Sequence, residues 1–241
     1  MEDLIDGFNR GNERLKALYQ TEAYRAQCNR FQAECKRLEQ LCLDFLENKS
    51  KYITSCDEAV VRQEFASGCH NLHRGFYTPS LLAPHMIYGA KRGKLLTRIT
   101  SRSNPCFEYG FNNTNQLVLC KSLNNKNVWQ TEYCLYEQNK ILGFTLNSSG
   151  DLTAISEEVF ENGQKIQYLY AGFAFFFEPP VCHELYCEEY TLDVQGNLTG
   201  HWHQFMTPVP YKASSIDAQL GIEPIAVPVY RQEIYTIPNS K

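Results

Sequence analysis

Leu146-Asn147-Ser148-Ser149-Gly150-Asp151-Leu152 spells a turn, and the chain repeats it. Phe111-Asn112-Asn113-Thr114-Asn115-Gln116-Leu117 and Leu192-Asp193-Val194-Gln195-Gly196-Asn197-Leu198 share its form: apolar, Asn or Asp, two variable residues, Gly or Asn, polar, Leu. The Asn or Asp side chain opens such a turn by binding its own backbone, and Gly or Asn tolerates the left-handed conformation that closes it. Glu161-Asn162-Gly163-Gln164 is a tighter relative with Asn-Gly at its centre.

Outward from these turns lie runs rich in aromatic and β-branched residues, the composition of strands. They cover 94–100, 106–112, 116–122, 128–137, 140–147, 151–160, 164–177, 181–193 and 197–206, with a last run near 227–236. The separators are too short for parallel crossovers, so consecutive strands must pair antiparallel. The expected fold is α+β: an N-terminal helical segment, then a long antiparallel β-meander, open and curved or barrel-like. Two regions follow, residues 1–90 with a loop linker and residues 91–241 as the sheet.

The front end has no proline before Pro79 and is dominated by helix formers. Tyr24, Cys28, Phe31, Cys35, Leu38, Cys42 and Phe45 form one helical stripe, with a break expected near Gly7 and Gly11. Asp57–Phe65 reads as a short helix. Residues 68–93, with Gly75, Pro79, Pro84 and Gly89, read as a linker or lid.

The bulk properties limit function. The 241 residues carry a net charge of −4, and no run of Lys or Arg exceeds two. Nucleic acid is therefore not an expected partner. The longest apolar run, 171–177, is far short of a membrane span, and the acidic start Met1-Glu2-Asp3 is unlike a secretory leader. A cytoplasmic location is expected, with the ten cysteines reduced and mostly buried.

Two constellations stand out. A hairpin centred on Gln195 places Cys187 opposite His203 and Glu189 opposite His201, all on one face, with Tyr186, Tyr190, Leu192, Leu198 and Trp202 on the other as core. The first face is read as a polar ladder turned to solvent or a partner. Its four residues are also the candidate zinc ligands, but without a CxxC spacing no metal and no cofactor is expected. Glu157-Glu158 and Glu188-Glu189 are adjacent strand residues, so each pair splits between faces and cannot work as one acid–base pair. They read as surface charges suited to a basic partner. The candidate partner-binding set is Glu157, Glu158, Cys187, Glu188, Glu189, His201 and His203. No nucleophile elbow, HExxH, P-loop or GxGxxG motif occurs, so no catalytic residues are expected.

The Tyr-rich strands joined by these turns resemble the YD-type β-hairpin repeats of Rhs-like proteins. From Gly93 to about Phe205 the chain more closely resembles bacterial immunity proteins that accompany polymorphic toxins. The likeness rests on Phe107-Glu108-Tyr109-Gly110-Phe111, Thr131-Glu132-Tyr133, Ile155-Ser156-Glu157-Glu158-Val159-Phe160-Glu161-Asn162-Gly163 and Tyr168-Leu169-Tyr170-Ala171. It implies a cytoplasmic protein that binds and blocks a toxin domain and has no catalytic residues. The competing expectations are an adaptor oligomerising through the N-terminal helix and a small-ligand-binding β-barrel.

Overall fold

The computed structural model describes residues 2–69, 71–100, 103–175, 177–208 and 227–239. Two helices open the chain, α1 (Glu2–Tyr19) and α2 (Glu22–Ala59). The first break falls at residues 20–21 and not at Gly7 or Gly11, because neither glycine is required to leave helical geometry. Strands β1 (Arg62–Ser67) and β2 (Lys94–Leu95) flank a segment that carries one 3₁₀ turn, Gly75–Tyr77, and one helical turn, α3 (Ala83–Met86). Then come β3 (Phe107–Phe111), β4 (Leu117–Asn124), β5 (Asn127–Tyr136), β6 (Lys140–Asn147), β7 (Leu152–Glu161), β8 (Gln164–Ala174), β9 (Val181–Leu192), β10 (Leu198–Met206) and β11 (Val229–Ile237).

All eleven strands form one antiparallel sheet in the order β11-β10-β9-β8-β7-β6-β5-β4-β3-β1-β2. The sheet is open, with β11 and β2 at its edges, so the barrel alternative does not hold. The repeated turns share one set of bonds. The Oδ1 of Asn112, Asn147 and Asp193 accepts the amides two and four residues on, at 2.8–3.1 Å. The residue three on, Asn115, Gly150 or Gly196, has positive φ, as the closing position requires.

Helix α2 lies diagonally across one face, and its residues meet the strands in reverse order. Tyr24 touches Tyr230 on β11, Phe31 stacks 6.0 Å from Phe205 on β10, Phe45 stacks 4.1 Å from Phe144 on β6, and the Cys56 thiol points at the Cys134 carbonyl on β5. Cys28, Phe31, Cys35, Leu38, Cys42 and Phe45 are all at most 2 % exposed. Small thiols alternate with large rings along this stripe, which lets the helix settle close to the sheet while the rings fill the spaces between strand side chains.

The other face is covered by residues 71–90, part of the stretch 68–93 read as a linker or lid. The change of composition near residue 90 is therefore spanned by contacts on both faces of the sheet. Nor is Asp57–Phe65 a helix: α2 runs on to Ala59, and the chain then enters β1, which pairs with β3 from Arg62↔Phe111 to Ala66↔Phe107. Ten cysteines are free thiols, nine buried and Cys106 half-buried. Among the described residues no helix is long and apolar enough to cross a membrane.

Candidate functional site

The β9–β10 hairpin has the expected register: His201 pairs with Glu189 and His203 with Cys187. The ladder is not an open face, however. It lies beneath α2, with Cys187 and His203 buried and the Phe31 ring 5.4 Å from the His203 ring. His203 Nδ1 is 3.0 Å from the Tyr230 hydroxyl, and Nε2 is 3.2 Å from Glu189 Oε2. Glu189 also pairs with Arg30 of the helix. The His203 hydrogen bond outweighs desolvation and, with Arg30, holds the Glu189 carboxyl down at about 2, whereas burial, aided by Glu189, pushes the Cys187 thiol up to about 12. These four residues are not a ligand set, since both His203 nitrogens are engaged and a guanidinium sits on the carboxylate. Among the described residues no group of three or more His, Cys, Asp and Glu is placed to hold a metal ion.

The glutamates read as surface charges are mostly interior. Glu157, Glu158 and Glu188 are each at most 5 % exposed, and only Glu189 is half-exposed. Each pair does split between faces. Glu157 turns towards α2, where Arg37 Nη1 reaches it at 3.0 Å and Lys140 at 3.3 Å. Glu158 turns to the opposite face, into a network that carries no local sequence signature.

The hub of that network is Arg74. It has left-handed φ of 54° and drives its guanidinium onto the sheet, where it is buried. Nε and Nη2 each donate to Glu132 at 2.9 Å, Nη1 donates to Glu158 at 2.6 Å, and Nη2 also reaches Ser156 Oγ at 3.0 Å. Lys165 closes on Glu158 at 2.5 Å, and His73 Nε2 lies 2.9 Å from Glu132, at ion-pair distance but without hydrogen-bond alignment. The space exists because β6 has Gly143 here: a β-carbon would collide with Glu132, Ser156 and Arg74 together. Burial by itself would raise the Glu132 and Glu158 carboxyls, yet Arg74, helped by His73 for the first and Lys165 for the second, lowers both, holding Glu132 well below the usual carboxylate range.

Next to the hub the same face opens into a recess of about 320 Å³. Cross-strand register builds its floor. Glu158, Tyr168, Glu188 and Trp202 form one row across β7–β10, and Ser156, Tyr170, Tyr186 and Gln204 form the next. Tyr168, Tyr170, Tyr186, Trp202 and Glu188 line the recess from the sheet. Asn71, His73, Ser80, Ala83, Met86 and Ile87 line it from the covering segment. That segment is anchored by Leu82, which is fully buried over Gly200, where a β-carbon would strike it. Burial, reinforced by nearby carboxylates, pushes the Tyr170 phenol up to about 12. The Tyr168 hydroxyl is held 2.8 Å from His73 Nδ1.

The sequence reading placed Tyr186, Tyr190, Leu198 and Trp202 on one apolar face. Tyr190, Leu198 and Trp202 belong to or pack against the cluster around Leu82, and Tyr186 meets the Trp202 ring, while Leu192 is exposed. It missed Tyr168 and Tyr170, whose spacing of two puts them on the same face, and it missed Arg74 altogether. His70, beside Cys69 and His73, lies outside the described residues. No protein-family model, no curated protein and no solved structure matches the chain.

Proposed function

We propose that this chain is a non-enzymatic inhibitor that acts by binding a protein: an immunity protein that neutralises a toxin domain in the bacterial cytoplasm. The recess is proposed as its contact site. One observation carries the reading. The Arg74 hub and the α2-facing ladder are committed to internal partners, while Tyr170, Tyr186 and Trp202 remain half-exposed around an open recess. Tyr and Trp offer large apolar area with a polar tip, and they dominate the anchoring positions of protein interfaces. The buried Glu188 at the floor suits a basic group better than an acidic one.

The test is capture from the native host with wild-type, Tyr170→Ala and Trp202→Ala baits, followed by assay of the captured protein. A captured toxin that the wild-type chain silences at equimolar ratio, and that the variants bind at least tenfold more weakly with unchanged melting, supports the proposal. A captured protein whose activity is unaffected, or equal retention by all three baits, overturns it.

A further inference from the structure

Four carboxylates on the sheet are buried among the described residues: Glu132, Glu157, Glu158 and Glu188. The first three each have a cation at 3.0 Å or less. Glu188 differs. It accepts from Ser80 Oγ at 2.6 Å, the Leu82 amide at 3.1 Å and the Tyr190 hydroxyl at 2.5 Å, all neutral donors. Among the described residues no Lys, Arg or His pairs with it. On this face Arg74 and Lys165 are matched by Glu132 and Glu158, which leaves the charge of Glu188 over. A buried charge without a counter-charge is costly in a closed core. Here it sits instead at the wall of an open recess.

The rest of the lining has the complementary character. The Tyr186 and Trp202 rings lie 6.0 Å apart at 31°, and the Tyr170 ring meets the His73 ring edge-on at 4.9 Å. Two of the phenol hydroxyls are turned to partners of their own, Tyr168 to His73 and Tyr186 to Glu184. Aromatic rings attract a desolvated cation through their quadrupoles, and rings grouped around one carboxylate are the arrangement that recognises ammonium and guanidinium groups. The volume of about 320 Å³ is at the lower end of small-molecule sites and fits a head group with a short alkyl stem.

We propose that the recess is a binding site for an organic cation, a substituted ammonium or a guanidinium, with Glu188 as counter-charge and Tyr170, Tyr186 and Trp202 as walls. The cation is either a free molecule or the side chain of a basic residue. In the second case the site supplies the chemistry of the contact proposed above and rests on that reading.

The chain has two tryptophans, and Trp129 on β5 is 62 % exposed. A Trp129→Phe protein therefore reports on Trp202 alone. Its emission is titrated with choline, with n-butylguanidinium, with the neutral choline isostere 3,3-dimethylbutanol, and with Gly-Lys-Gly and Gly-Arg-Gly peptides. The expected result is saturable binding of at least one cation, tenfold or more tighter than the isostere and weakened tenfold or more by Glu188→Gln. Tyr170→Leu serves as a second variant if Glu188→Gln does not fold. Preference for the peptides assigns the cation to a protein side chain, and preference for choline or butylguanidinium assigns it to a free ligand. Binding of the isostere as tight as that of the cations, or no saturable binding of any cation, overturns the proposal. Cation binding without capture of a toxin would leave this site standing and remove the inhibitor reading alone.

Discussion

Arg74 shows how far one side chain from an irregular segment can organise a sheet. It gives Glu132 two parallel hydrogen bonds and Glu158 a third, in a space only Gly143 allows. Removing one partner of a buried ion network leaves uncompensated charge, so Arg74→Ala is expected to cost ~3–5 kcal/mol in urea unfolding. A loss under ~1 kcal/mol would mean that water reaches the carboxylates. The same residues set the acid limb of stability. Glu132 and Glu158 have depressed carboxyls in the fold, so they bind fewer protons folded than unfolded at mildly acid pH. Their contribution is complete above the unfolded value of ~4.3 and is lost as pH falls through the folded values. Stability should hold from pH 7 to about 5 and drop below ~4.3, and Arg74→Ala should flatten that drop. An equally steep drop in the variant would assign the acid limb to other groups, Glu189 first among them.

Among the elements, the hairpin turns were the most legible because their chemistry is local. Asn147 needs only its own next four residues to make its bonds. Asn147→Ala is expected to cost ~0.5–1.5 kcal/mol by urea denaturation, the worth of exposed hydrogen bonds that water partly replaces. No change at all would show that the positive-φ Gly150 sets the turn unaided. The strand runs were legible for the same reason, and 140–147 coincides with β6. The runs that shrank most, 94–100 to β2 and 164–177 to β8, each have an end that lacks such a turn. Strand β1 was missed because Arg62-Gln63-Glu64 is polar and flanks a helix end, and only pairing with distant segments, β3 on one side and β2 on the other, makes it a strand. The recess was half legible: alternation along the strands and the hairpin register put Tyr186 and Trp202 on one face, but nothing local says that residues 71–90 fold over them. The burial of Glu157, Glu158 and Glu188 was illegible for that reason, since each depends on a donor from a distant segment.

At the scale of the whole molecule, α2 acts as a spine joining strands that the meander connects only to their neighbours. Its 38 residues reach ~57 Å, enough to cross the sheet obliquely from β11 to β5. An N-terminal helical region standing apart from the sheet would leave the Phe144, Leu169, Leu185 and Phe205 face open to water, and each such side chain contributes ~1.5–3 kcal/mol by burial. Helix α1 has a different standing, since α2 is its main contact. Deleting residues 1–18 should therefore leave a cooperative thermal transition, whereas deleting residues 1–59 should abolish it and expose a dye-binding apolar face. Thiol chemistry gives an independent reading of the same geometry. Four of the nine buried cysteines, Cys28, Cys35, Cys42 and Cys56, sit on α2 against the sheet, and Cys106 alone is half-buried. In the native chain Cys106 should react first with an aromatic disulfide reagent, and the other nine only at the rate of opening. All ten should titrate once the chain is denatured, because none is in a disulfide. Fast reaction of the α2 thiols in a protein that still melts cooperatively would show the spine lifting from the sheet without global unfolding. The helix would then be an independently moving part, with the sheet stable beneath it.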